Sequence, residues 1–287
     1  MPAVFQNMAG YNGVFTFGAY PDLTPTNTTL TEGTPPTGRA LTIVTDSFTA
    51  AQKGETIEVS DLGQNENPHN LLAVAAERVA RVASVTLDLA AKNATYGGVA
   101  ANDRIYVSTA TSRATTSVAM TMTGAVVKKV VATLRANNVA PFADGFYHAI
   151  AHPYVLYDLF TDTASGGWMD ASKYVNNLPL LNGEIGTYHG VRFLDAGGNN
   201  AGSNGGQVYA GAGVSSANVY ATAFFGPEFL TVTPPSALQA FYVAPGNDHN
   251  DPLAQKGIVG FKGFLGATLL VAAGLKYRIV ESGATIG

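Results

Sequence analysis

Apolar residues recur along one stretch of the chain at Leu72, Ala75, Ala76, Val79, Val82, Ala83, Leu87 and Ala90. Spacings of three and four place them on one face of an α-helix. Glu77, Arg81, Asp88 and Lys92 fall on the opposite face. Glu77–Arg81 and Asp88–Lys92 are i,i+4 pairs in the favourable order, worth about 0.2–0.5 kcal/mol each. Asn67-Pro68 supplies the start, with Asn as N-cap and Pro at the first helical position. The stripe ends near Asn93, before Tyr96-Gly97-Gly98. At 1.5 Å per residue, a helix of about 26 residues spans about 40 Å. A second stripe, Val126, Val127, Val130 and Leu134, predicts a helix from about Thr123 to Asn137. Lys128, Lys129 and Arg135 form its solvated face.

Strand signals surround these helices. Leu41–Val44 and Thr56–Val59 are β-branched runs, with Gln52-Lys53-Gly54 as the turn between them. That predicts a long β-hairpin over residues 41–60. An isolated two-stranded ribbon is marginal in water, so the hairpin with its tip, Gln52, Lys53, Gly54 and Glu55, either packs on its own domain or lies on another molecule. Further strands are expected at Tyr220–Phe224, Phe241–Ala244, Ile258–Gly263 and Tyr277–Val280, with strand or loop at 98–120. Residues 197–217, nearly all Gly, Asn, Ser and Ala, read as a loop. Residues 1–40 have no period and read as an arm. Its aromatics, Phe5, Tyr11, Phe15, Phe17 and Tyr20, need somewhere to dock, which makes Phe15 and Phe17 candidate contact residues. The fold class is α+β.

Charged residues are only 13% of the 287 residues, about half the usual share. Low charge is the pattern of interface cores, so the composition suits a subunit that buries surface against others. Net charge is −4, without a run of Lys or Arg. That argues against sequence-specific nucleic-acid binding, which needs a basic patch. The absence of cysteine excludes disulfides and thiolate metal sites. Met1–Gly18 lacks the basic and apolar regions of a signal peptide. Phe264–Leu275 is shorter than the about 20 residues needed to cross a bilayer. Synthesis and assembly are expected in a cytoplasm, with no membrane partner.

No constellation points to an enzyme. His148 and His152 are four apart, but Ala149 stands where a zinc protease has Glu, and the context is a strand. His69 and His189 are isolated. Asp248-His249-Asn250-Asp251 reads as a polar turn before Pro252. The glycines of 197–213 lack the Lys-Ser/Thr of a phosphate loop, and Ser165-Gly166-Gly167 is not a nucleophile elbow. Asp158, Asp162 and Asp170 suit helix caps and turns. The sequence therefore offers no catalytic, cofactor-binding or metal-binding residue.

Residues 142–195 carry a resemblance. A short apolar run, Phe146 to Ala151, ends at His152-Pro153, and an aromatic turn follows with Tyr154, Tyr157 and Phe160. Then come Gly166-Gly167-Trp168, Leu180-Leu181-Asn182-Gly183-Glu184-Ile185-Gly186 and Gly190-Val191-Arg192-Phe193. In order and spacing this resembles the N-four-type coat proteins, a family of tailed-bacteriophage major capsid proteins. Asp251-Pro252-Leu253-Ala254-Gln255-Lys256, leading into Ile258–Lys262, is similar to the family's C-terminal block, with Phe261 where Trp is expected. The resemblance covers most of residues 35–282, but not residues 1–34 or 196–217.

The resemblance implies the fold shared by tailed-phage and herpesvirus shell proteins. Its parts would be an N-terminal arm (1–40) crossing onto a neighbour, an extended hairpin (41–62), a peripheral domain with a spine helix (63–139 and 241–287) and an axial domain (140–240). It implies self-assembly into hexamers and pentamers of an icosahedral shell in the virion. The shell would enclose double-stranded DNA without sequence specificity, with portal, scaffolding and decoration proteins as partners. Two rival readings are a bacterial nanocompartment shell of the same fold and an α+β hydrolase.

Overall fold

The computed structural model describes residues 6–8, 14–19, 29, 32–33, 35, 38–97, 103–162, 184–197, 206–233, 238–247, 251, 253–270 and 276–286. In chain order the strands and helices are β1 (Gln6–Met8), β2 (Val14–Ala19), β3 (Val44–Thr49), β4 (Ala51–Ser60), α1 (Asp61–Glu66), α2 (Leu71–Gly97), β5 (Arg104–Tyr106), α3 (Gly124–Ala136), β6 (Tyr147–Ala151) and α4 (Pro153–Phe160). They continue with β7 (Glu184–Tyr188), β8 (Val191–Asp195), β9 (Gln207–Tyr209), β10 (Val219–Phe225), β11 (Leu230–Val232), β12 (Leu238–Val243), β13 (Lys256–Leu265), β14 (Ala267–Leu269) and β15 (Tyr277–Ser282).

A seven-stranded mixed sheet runs β5-β15-β10-β6-β8-β7, with β9 on β10. Strand β10 lies at its centre, and all its residues are buried. Tyr220 and Phe224 meet Val127, Val130 and Leu134 of α3 and Val155, Leu156 and Leu159 of α4 in one core. Ala221, Ala223 and Phe225 form a second core with Ile279, Tyr277 and Tyr96. A strand covered on both sides reads as a continuous apolar run, which is what Val219–Phe225 is.

A three-stranded sheet, β12-β13-β4, packs one face on α2. Val259, Phe261, Ile57 and Val59 meet Ala75, Val79 and Ala83 there. The 27 residues of α2 thus reach from this core to the second core of the large sheet, which Tyr96 enters. Strands β11 and β14 make a small pair, and β1-β2-β3 form a separate ribbon.

Local chemistry fixes the helix ends. The Ser60 hydroxyl accepts from the Gly63 N–H at 3.1 Å and starts α1. Asn70, not Asn67, starts α2, its Oδ1 accepting from the Ala73 N–H at 3.2 Å. Asn67 ends α1 instead, so Pro68 lies between two helices, and α2 runs on from Asn93 to Gly97. Helix α3 agrees with its expected bounds, with Thr123 and Asn137 as caps.

Three expectations are corrected. The hairpin over 41–60 does not form. β3 pairs with β2 and β4 with β13, and Gln52-Lys53-Gly54 lies inside β4. Second, the loop 197–217 contains β9, which pairs with β10, and a 3₁₀ turn at Val214–Ser216. Third, β5, α3 and β15 belong to the large sheet and its core, although they fall in the stretches 63–139 and 241–287 that were expected to form one domain with α2. In each case pairing between distant segments overrode the local pattern. The expected corner at Gly166–Trp168, Asp170, Leu180–Gly183 and Asp248–Asn250 lie outside the described residues.

Candidate assembly surfaces

Only Ala50 separates β3 from β4, so the ribbon continues the edge of the α2-backed sheet. At its root the rings of Phe15 and Phe48 stack at 5.4 Å, 18° from parallel. Phe48 is buried because Gly266 lets it in: a Cβ there would lie 2.8 Å from the ring. Above this root Thr45 and Ser47 are exposed, as are Leu41 and Ile43, at 63% and 43%. Phe17 stands opposite Asp46 on the β2–β3 ladder. Of the arm aromatics, Phe15 therefore docks within its own chain.

Gln52, Lys53, Gly54 and Glu55 are exposed and oppose Phe264, Gly263, Lys262 and Phe261. They lie on an edge strand of the sheet rather than at a tip. Gly54 is required there by close approach, since a Cβ would lie 2.5 Å from the Phe261 carbonyl oxygen. The sheet face away from α2 carries Phe241 and Phe264, 41% and 49% exposed. The Lys262 ammonium sits 4.6 Å from the centre of the Phe241 ring. Sequence reading found both strands but not this face. The alternation Gln239-Phe241-Val243 opposite Ile258-Gly260-Lys262 was the available signal.

The polar groups inside the fold act as ties. Glu281 is fully buried and accepts from Arg113 Nε at 2.8 and 2.9 Å and from Nη2 at 2.7 Å. Arg104 lies 3.5 Å from the same carboxylate, and the Arg113 guanidinium covers the Tyr209 ring at 3.5 Å. Burial raises the Tyr209 pKa, partly opposed by Arg113. Asp144 takes His148 Nε2 at 3.0 Å, Arg192 Nη1 at 3.0 Å and the Phe146 N–H at 3.0 Å. Burial pushes the Asp144 pKa up, but these hydrogen bonds and the Arg192 charge outweigh it and hold the carboxyl below its usual value. Asp158 accepts from the Thr285 N–H at 2.9 Å, and Asp162 from the Gly124 N–H at 3.1 Å. Asp162 thus serves the start of α3, as a cap would, whereas Asp158, inside α4, ties down the segment after β15.

His148 also stacks on Phe142 at 4.1 Å. His152 caps α4 by accepting from the Tyr154 N–H. Burial lowers the His152 pKa, Lys92 adds to this, and Asp195 opposes it. The two histidines thus hold separate structural posts. Among the described residues no three His, Cys, Asp or Glu side chains converge on a possible metal position. No described helix is long and apolar enough to cross a membrane.

Comparison with known proteins agrees with this architecture. The capsid of Ralstonia phage GP4 superposes with TM-score 0.73 at 14% identity, over 96% of this chain and 84% of that one. The capsid of Helicobacter pylori bacteriophage KHP30 gives 0.64 at 13% identity, over 93% and 83%. The SrpI encapsulin from Synechococcus elongatus PCC 7942 gives 0.55 at 8% identity, over 86% and 79%. The fold is therefore that of phage capsid proteins, and encapsulins share it. No curated protein sequence matches. The sequence profile described as "Phage capsid protein" matches residues 3–227. A match over most of the length, on the fold of phage head shells, shows that this chain belongs to the phage capsid protein family.

Proposed function

We propose that this chain is the major shell subunit of a tailed-phage head. In this reading copies close into an icosahedral shell of hexamers and pentamers around double-stranded DNA, which is held without sequence specificity. The observation that carries the proposal is the family match joined to a ribbon that leaves the body of the subunit at Phe15–Phe48 and exposes Leu41 and Ile43. A narrow three-stranded ribbon with open edges and exposed apolar residues beside it invites a partner surface, and a shell supplies one in every neighbour. Phe17 and Gln52–Glu55 would touch that neighbour, while Phe15 serves at the ribbon's root.

In the same reading the seven-stranded sheet with α3 and α4 is the axial domain. The β12-β13-β4 sheet with α2 is the peripheral one. Portal, scaffolding and decoration proteins would complete the head, and assembly would take place in the host cytoplasm. The subunit would work by packing, without catalysis. Light scattering of purified protein, with and without scaffold, tests the reading: closed particles are expected, and a monomer under every condition would contradict it. The encapsulin likeness is of fold alone and does not shift the proposal, because the family profile matched is that of phage capsids.

A further inference from the structure

Charge is segregated along this chain. From Gly54 to Glu77 there are Glu55, Glu58, Asp61, Glu66 and Glu77 but no Lys or Arg. From Arg104 to Ala143 there are Arg104, Arg113, Lys128, Lys129 and Arg135 but no Asp or Glu. The fold uses some of these internally: Arg104 and Arg113 serve Glu281, and Glu58 pairs with Lys256. Two patches remain at the surface, on different sheets. One is α1, with Asp61 and Glu66 exposed at its two ends. The other is the outer stripe of α3, where Ala125, Lys128, Lys129, Ala132, Arg135 and Ala136 are all exposed.

The acidic patch borders a cavity of about 200 Å³ lined by Val59, Leu72, Tyr242, Pro245, Gly257 and Gln64. The Gln64 side-chain carbonyl oxygen is buried with no hydrogen-bond donor among the described residues. An apolar wall, an acceptor without a donor and a carboxylate at the rim match a long side chain with a cationic head, a lysine or an arginine. Its methylene stem packs on apolar surface while its charged head reaches polar groups.

We propose that the outer face of α3 in one copy docks on the α1 edge of a second copy, a lysine of α3 entering the cavity beside Gln64 and Asp61. The alanines of the stripe allow close approach. Two different patches make a heterologous contact, which repeats head to tail and closes into a ring when the rotation allows. The proposal rests on the shell reading above and names the charge pairing that would join neighbours within a ring.

The test is a charge swap. One variant carries Lys128→Glu and Lys129→Glu, a second carries Asp61→Lys and Glu66→Lys, and a third carries all four. These side chains are exposed, and circular dichroism with melting confirms that each subunit folds. Wild-type protein forming shells keeps the parent reading separate from this one. Each single-face variant should assemble at least about tenfold more slowly by light scattering, the scale of electrostatic steering, and the fourfold variant should recover. Single-face variants that assemble like wild type, or a fourfold variant no better than they are, would overturn the proposal. Shells that form normally but package less DNA in the Lys128/Lys129 variant would also overturn it and assign the α3 face to DNA.

Discussion

Arg113 holds Glu281 in a fork: three hydrogen bonds of 2.7–2.9 Å join a 3₁₀ turn at residues 113–115 to the fully buried carboxylate on β15. Arg104 approaches from β5 and Tyr209 from β9, so the fork ties three strands of the large sheet to one loop. Removing one partner of a buried pair leaves the other charge unmatched, at a cost of about 3–5 kcal/mol. Arg113→Ala should therefore lower subunit stability in denaturant titration, but by less than that range, because Arg104 stays 3.5 Å from the carboxylate. A loss no larger than that of an ordinary surface substitution would mean that the fork contributes little.

Gly54 tests the corrected position of residues 52–54. In a turn it would tolerate Asn or Ala. In β4 a Cβ meets the Phe261 carbonyl oxygen, and overpacking of this kind costs about 1–3 kcal/mol. Gly54→Ala should destabilise the subunit, while Lys53→Ala, exposed beside it, should not. Equal melting of the two variants would return the segment to a loop.

The ribbon can be trimmed above its root. Replacing residues 17–46 by a short turn keeps Phe15 on Phe48 and leaves β4 paired with β13. The subunit should stay folded, with its melting temperature little changed, and shells should not form. A trimmed subunit that unfolds would place the ribbon inside the folding core.

Asp144 gives an acid dependence. Its folded pKa lies below the ordinary 3.8, so its contribution to stability is present above 3.8 and is lost as pH falls through the lower folded value. Protonation also leaves His148 and Arg192 without their shared carboxylate. Asp144→Asn should reduce stability at neutral pH, and the gap to wild type should narrow on acidification below the ordinary carboxylate value. A gap that stays constant with pH would assign the effect to lost packing instead.

Local patterns were legible where one helix face or one strand run carried the signal. Helix α3 kept its caps at Thr123 and Asn137, and β10, β12, β13 and β15 appear within a residue or two of their expected places, apart from the earlier start of β12. Pairing between distant segments was not legible. The run 41–60 reads as one complete hairpin, yet its first strand pairs with β2 and its second with β13. Nothing within 41–60 states that partner choice, since β-propensity describes a surface rather than a neighbour. The same blindness hid β5 beside β15 and the fork between Arg113 and Glu281. Of the candidate contact residues, Gln52–Glu55 were expected at a hairpin tip and instead lie along a strand. They are exposed as an edge strand, and the Phe241–Phe264 face beside them was missed.

Electron microscopy of the purified protein, assembled alone or with its scaffold, tests the central claim most directly. The account predicts closed shells of hexamers and pentamers, with density for each ribbon lying on an adjacent subunit. Dispersed subunits in every preparation, or shells in which the ribbon folds back on its own chain, would contradict it.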